Sequence, residues 1–322
     1  MYTILCNLYD IDYINKFPMI YQSFWSKPFL NPYEDSFETR FQGGFPRYRY
    51  FFYTWALSTC RLKDHYGQVH LVTDKKGKEI LIDNLKLPFS SVDLLLDDIE
   101  DFPSYMWAAG KCYFYSKINK PFIHFDGDFI LGNNFGTYDI FDKITNNILV
   151  EFFYSDIYSN IYTKILSDMY FKDQIILPNE LKIFIDKENF NMSYYNLGVV
   201  GSNDWQSFQN IGRESINFIK NNIDEFPKSK LPIDFYNLFC EQYILYYYTK
   251  KLNLGVYPIN IYPMYNLCEE DNPASILNTE TDEFDYVHLA GLLKLSHYKT
   301  AENWLKLFYP KEYDTINKAL GL

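Results

Sequence analysis

An α/β fold is what this sequence predicts, and three observations carry the prediction. Apolar, β-branched runs alternate with stretches of helical periodicity, and no repeat or low-complexity linker interrupts them. One of these runs, Pro121 to Leu131, carries two carboxylates, Asp126 and Asp128, one residue apart at the end of a strand pattern. The length, 322 residues of which 48% are hydrophobic, is enough to bury a large core in one domain.

In chain order, residues 2–8 predict a first strand, followed by an irregular, proline-containing stretch to Pro46 and a helix from about Arg47 to Lys63. His70 to Asp74 reads as a strand ending in a carboxylate. A helix over 104–118 leads into the strand that delivers Asp126 and Asp128, and another over 133–143 leaves it. Within that strand Phe122, Ile123 and Phe125 are strand formers, Pro121 bounds them, and Gly127 lets the chain turn between the acids. Strands over 147–153 and 194–200, helices over 155–170, 204–222, 234–250 and 299–321, and a strand over 284–289 running into a glycine loop complete the reading. Residues 1–295 are expected to form the main domain, with 296–322 a helical extension packed on it.

Composition narrows the function classes. With 41 acidic against 30 basic residues the chain lacks the basic face that phosphate tracking needs, so no nucleic-acid partner is expected. Cys6, Cys60, Cys112, Cys240 and Cys268 are scattered and form no Cys-x-x-Cys, which argues for reduced thiols in a cytoplasmic protein and against zinc. The first ten residues lack a basic flank and a long apolar stretch, and no later run approaches about 18 uninterrupted apolar residues. A soluble protein with at most peripheral membrane contact is expected. The 31 Tyr and 28 Phe are assigned to the core and to composition bias rather than to sugar-stacking surfaces.

The Asp126 and Asp128 pair carries the chemistry. Two crowded carboxylates repel unless a cation sits between them, and Mn²⁺ or Mg²⁺, with oxygen ligands, bridges carboxylates to the oxygens of a diphosphate. Open α/β sheets bind ligands at such strand ends. Three later segments add to it. Asn196 and Gly198 combine a polar amide with a permissive glycine on a β-branched strand, Glu241 and Gln242 set a carboxylate beside an amide on a helix, and His288, Gly291 and Lys294 place an imidazole, a glycine and an ammonium group at a strand end.

In this order and spacing the set resembles GT-A glycosyltransferases, most closely the glycogenin-like and bacterial lipopolysaccharide galactosyltransferase-like retaining group, over most of the chain. The resemblance implies a Rossmann-like mixed sheet flanked by helices. It implies that Asp126, Asp128 and His288 hold Mn²⁺ (or Mg²⁺), with His288 neutral, and that Gly291 and Lys294 meet the diphosphate. Cys6 and Asn7 would cradle the base, Asp74 and Lys111 would lie on the donor, and Glu241, Gln242 and Asn196 would stand near the reacting sugar. The implied partners are a nucleotide-sugar donor, a UDP-sugar first, and a glycan, lipid-linked, protein or small-molecule acceptor. Leu295-Ser296 replaces the family's Pro-Trp, and Glu241 replaces its Asp, which marks a distant branch.

Three other classes share features. A haloacid-dehalogenase-like phosphatase needs Thr or Val where Ile130 stands and its motif on the first strand, and Asp97-Asp98 precedes the motif instead of following it. A glycoside hydrolase needs carboxylates farther apart than adjacent acids on one strand end. A non-catalytic, degenerate GT-A-like protein that binds sugar nucleotide or carbohydrate carries the same fold without turnover. Arg40, Arg47 and Arg49, three of the five arginines, cluster among aromatics and either face an anion or form salt bridges at a helix start, and Tyr33 to Gly44 reads as a lid or a plain surface loop.

Overall fold

Beside the central strand of the sheet lies one that the sequence hides. In the computed structural model, which describes residues 18–31, 41–145, 147–152, 163, 166–171, 175–188, 194–260, 282–291 and 293–322, this strand is Met19–Phe24 (β1). The strand expected over 2–8 lies outside the described residues. Gln22 and Ser23 make β1 look like loop, yet Gln22 is fully buried. Its amide nitrogen donates to the Ser58 hydroxyl at 3.0 Å and its oxygen accepts from Thr59 at 2.8 Å, which fastens the helix Tyr48–Tyr66 (α1) across the sheet.

On one side of β1 lie His70–Thr73 (β2) and Ser91–Asp93 (β3), both parallel, and on the other lies Phe122–Phe125 (β4), also parallel. Beyond β4 come Asn196–Ser202 (β7), antiparallel to it, then Asn147–Phe152 (β6), antiparallel to β7, and Gly255–Asn260 (β8), parallel to β6. Among the described residues the order is β3-β2-β1-β4-β7-β6-β8. Pro258, which argues against a strand in the sequence, is tolerated because β8 is an edge. A second, antiparallel sheet pairs Phe129–Leu131 (β5) with Tyr286–His288 (β9).

Helices cover both faces. Ala109–Lys117 (α2) and Trp205–Asn222 (α3) pack closely because Gly212 lies against the Ser116 and Tyr115 backbone, where a Cβ would clash. Phe114, Phe122, Phe208 and Ile219 fill that layer. The opposite layer unites α1 with the helices Tyr298–Phe308 and Pro310–Leu320 through Trp55, Leu57, Trp304, Leu305 and Ile316. The helix expected over 299–321 breaks at Tyr309, since Pro310 has no N–H to continue it and opens a new helix instead. The one expected over 133–143 starts later, at Thr137, because the Asn133 and Asn134 amides donate to the carbonyls of Asp282 (2.7 Å) and Phe284 (3.1 Å). The one expected over 234–250 is Ile233–Leu238 and Ile244–Lys251, joined by a π-turn at Phe239–Tyr243. Of the helix expected over 155–170, residues 163 and 166–170 are described, and they are helical.

This mixed sheet, flanked by helices and joined by C-terminal helices, is the α/β architecture expected from the sequence. Among the described residues no helix is long and apolar enough to cross a membrane.

Candidate functional site

The strand order turns around between β1 and β4, with β2 and β3 on one side and β4 on the other. Open α/β sheets bind ligands at such a point, outside the carboxyl ends of the strands. A cleft of about 190 Å³ lies there, and Ser23, Trp25, Lys111, Asp126, Asp128 and Glu241 are in its wall.

The loop that carries the two acids is fixed from several sides. The Asp126 amide donates to the Gly198 carbonyl at 2.8 Å, and the Phe129 amide closes the turn onto the Asp126 carbonyl at 3.1 Å. Ser58 of α1 donates to the Phe129 carbonyl at 2.6 Å, and Gln22 donates to that of Asp126 at 3.3 Å. Gly127 is not among the glycines with positive φ; a Cβ there would run into the Trp55 indole, so close packing is what demands the glycine. The pairing of β5 with β9 then sets His288 opposite Phe129, and the Leu289 amide donates to the Asp128 carbonyl at 3.0 Å. As a result His288 Nε2 lies 3.3 Å from Asp128 Oδ1, and one ligand atom each from Asp126, Asp128 and His288 lie within 4.8 Å of one another.

Two lysines neutralise these acids. Lys294 follows Gly291, whose φ of +52° is left-handed, and its Nζ lies 2.8 Å from Asp128 Oδ2 and 5.5 Å from the centre of the Phe45 ring. Lys111 projects from α2 to Asp126 Oδ1 at 2.7 Å, to the Leu197 carbonyl at 3.0 Å and to Glu241 Oε1. Glu241 and Gln242 are both buried, in the π-turn, a feature found often at functional sites. They do not form the exposed first turn of a helix, and Glu241 lines the cleft whereas Gln242 does not.

The electrostatics split the pair. Burial pushes the Asp126 carboxyl up to about 7, with Asp128 and Glu241 adding to the effect and Lys111 opposing it. Burial acts the same way on Asp128, but Lys294 and His288 outweigh it and hold that carboxyl well below the usual range. Burial alone lowers the pKa of His288, but the charges of Glu151 and Asp128 prevail and hold it up at about 10.

Glu151 is the residue that sequence reading missed. It is fully buried on β6 at a register shift, its Oε2 lies 2.7 Å from His288 Nδ1, and the Gly198 amide donates to the same oxygen at 3.0 Å. The signal was an acid inside the apolar run 147–152. The Nδ1 contact is close yet off the line of a hydrogen bond, so opposite charge holds the two together.

The remaining expected residues are placed as follows. Asp74 is engaged in structure: Oδ1 accepts from the Gly77 amide at 2.6 Å, and Oδ2 accepts from the Ser26 amide at 3.0 Å and the Ser26 hydroxyl at 2.8 Å. Asn196 opens β7 opposite Glu151 and does not line the cleft. Cys6, Asn7, Arg40 and residues 33–40 of the expected lid lie outside the described residues. Arg47 is exposed, and Arg49 donates to the Tyr50 hydroxyl at 2.9 Å; neither lines the cleft.

Among solved structures the chain is similar to the WbbM bifunctional glycosyltransferase, at 11% identity and a TM-score of 0.37, covering 70% of this chain and 37% of that one. It is also similar to mouse xyloside xylosyltransferase 1, at 9% identity and a TM-score of 0.35, covering 76% of this chain and 85% of that one. The chain thus spans about a third of WbbM. No curated protein sequence gives a significant match. Residues 19–319 match the model described as family of unknown function DUF6734, and the chain belongs to that family.

Proposed function

We propose that this protein is a divalent-cation-dependent glycosyltransferase whose donor is a nucleotide diphosphate sugar, with a UDP-sugar first. The observation that carries the reading is the convergence of Asp126, Asp128 and His288 beside the cleft at the strand ends. The donor set fits: two carboxylates and an imidazole are ligands that Mn²⁺ accepts, and one ligand atom from each lies within 4.8 Å of the others. When bound, the cation would neutralise charge on the leaving diphosphate.

The chain's own residues do the rest. Lys294, a point charge on a flexible stem, is placed to turn from Asp128 to a phosphate oxygen. Lys111 holds Asp126 and Glu241 side by side, which fixes the Glu241 carboxylate in the cleft wall, where it can stabilise positive charge developing on the sugar. The choice of UDP and retention of configuration rest on the resemblance, and the acceptor belongs to the same proposal only as a class: a glycan, lipid-linked, protein or small-molecule hydroxyl.

A screen of nucleotide sugars for release of nucleotide, with Mn²⁺ and with chelator, tests the reading. Metal-dependent release supports it. Binding of UDP and GDP that is equally tight with Mn²⁺ and with chelator would overturn it, and metal-dependent binding without turnover would point to the non-catalytic relative.

Glu241→Gln should lower the transfer rate by roughly tenfold or more while leaving UDP affinity nearly unchanged, as expected for a transition-state contact. A rate within about twofold of the parent would remove Glu241 from the reaction.

Mn²⁺ affinity should rise with pH, because ligands must shed protons before they bind a cation. His288 keeps its proton up to about 10 and Asp126 up to about 7, so at pH 6.5 binding should release protons from both. Calorimetry in buffers of different ionisation enthalpy measures that release, which should shrink on going to pH 8.5 as Asp126 ionises beforehand.

A further inference from the structure

We infer that Glu151 is a positioning residue for His288: it holds the Nδ1 side of the ring so that Nε2 is the nitrogen presented, beside Asp128, to a divalent cation. The inference rests on the proposed cation site and goes beyond it by assigning a role to a carboxylate outside the ligand group.

The two ring nitrogens are not equivalent here. Nδ1 lies 2.7 Å from Glu151 Oε2, and Nε2 lies 3.3 Å from Asp128 Oδ1. A histidine that binds metal through one nitrogen commonly gives the N–H of the other to a carboxylate or carbonyl, which fixes tautomer and ring orientation. At 2.7 Å, Nδ1 and Oε2 are within hydrogen-bond distance of one another.

Burial makes the arrangement specific. Glu151 is 0% exposed, and its Oε1 has no hydrogen-bond partner. A buried carboxylate with one oxygen unpaired is expensive to keep. A strand-end acid serving only the fold would be better placed facing water, and the register shift between Val150 and Glu151 is where β6 departs from regular pairing with β7. Gly198 completes the cradle. Its amide donates to Oε2 at 3.0 Å, and a Cβ on it would run into Glu151 Oε2 and stand 2.5 Å from His288 Cε1 and Nδ1. The Asn-x-Gly motif thus has a physical reason: only glycine leaves room for the carboxylate and the ring to meet.

The test uses the full chain with MnCl₂, alone and with UDP. Bound Mn²⁺ is quantified by electron paramagnetic resonance, and a directly bonded imidazole nitrogen is detected by its modulation of the electron spin echo. The parent should bind Mn²⁺ and show nitrogen coupling. Glu151→Met, which removes the acceptor with little change of length, should weaken binding by about 10–100-fold and abolish the coupling. Glu151→Gln, which keeps one carbonyl oxygen for Nδ1–H, should restore the coupling with intermediate affinity. A merely structural carboxylate would give no such split between the two variants.

If Glu151→Met does not fold by circular dichroism, Gly198→Ala takes its place, since it leaves both groups intact and pushes them apart; it too should lose the nitrogen coupling. Parent-like affinity and coupling in Glu151→Met, or in Gly198→Ala where that stands in, would overturn the inference while sparing the cation site. A parent that binds no Mn²⁺, or binds it without nitrogen coupling, would overturn both.

Discussion

Asp128→Ala should abolish Mn²⁺-dependent binding of UDP and lower the stability of the fold by about 3–5 kcal/mol, the usual consequence of removing one partner from a buried ionic cluster. Asp128 is the counter-ion of Lys294 at 2.8 Å and of His288 at 3.3 Å, and its loss takes that partner from Lys294 and leaves His288 with Glu151. Calorimetry reads the first effect and urea unfolding the second. The stability difference should also depend on pH in a defined sense. The folded-state pKa of Asp128 lies below its ordinary 3.8, so its contribution is fully present above that value and fades as the pH falls into the acid range. Unfolding midpoints for parent and variant should therefore be well separated at pH 7, and the separation should shrink as the pH falls below 3.8. A constant separation would mean that Asp128 stabilises by packing rather than by charge.

The second large effect is expected at Lys111. Its ammonium group is held by Asp126, by Glu241 and by the Leu197 carbonyl. Lys111→Met would leave two carboxylates facing each other in a buried place, at a cost of about 3–5 kcal/mol, and turnover should fall with it. Removing one of the stranded charges should then help. The double variant Lys111→Met with Glu241→Gln should regain a substantial part of the lost stability, and a double-mutant cycle in urea measures the coupling. Strict additivity would show that the three groups do not act as a unit. Recovered stability without recovered turnover is the expected outcome, because the double variant still lacks the Glu241 carboxylate.

How much of this was visible in the sequence depends on whether local pattern and tertiary role agree. They agree at β4, where Phe122, Ile123 and Phe125 are all buried and the acids follow as expected, and at β2, β6 and β7. They disagree at β1, because Gln22 is polar in composition yet satisfied inside by Ser58 and Thr59, a long-range arrangement that no window of sequence contains. β8 was hidden by Pro258, whose missing N–H matters only if the strand has neighbours on both sides. The candidate site divides in the same way. Asp126 and Asp128 could be found from spacing alone, and Lys111, Lys294, His288 and Glu241 do converge on them, whereas Asp74 is engaged in capping a turn and holding Ser26. Glu151 could not be assigned, because an acid in a strand reads as solvent-facing until a register shift turns it inward.

The little sheet of β5 and β9 also orders events in time. Phe129 and His288 pair from opposite halves of the chain, and closing so long a loop is entropically unfavourable until other contacts have shortened it. A chain folded as far as Lys251 would already have Asp126 clamped by Lys111 and Glu241 in place, but its Asp128 would lack both His288 and Lys294. The acids would then wait, half-neutralised, for a three-residue strand made later in synthesis. A cation drawn to the completed group favours the state in which β9 has docked and has little to hold on to before then. On the proposed function, the cation site would be complete only with the arrival of β9.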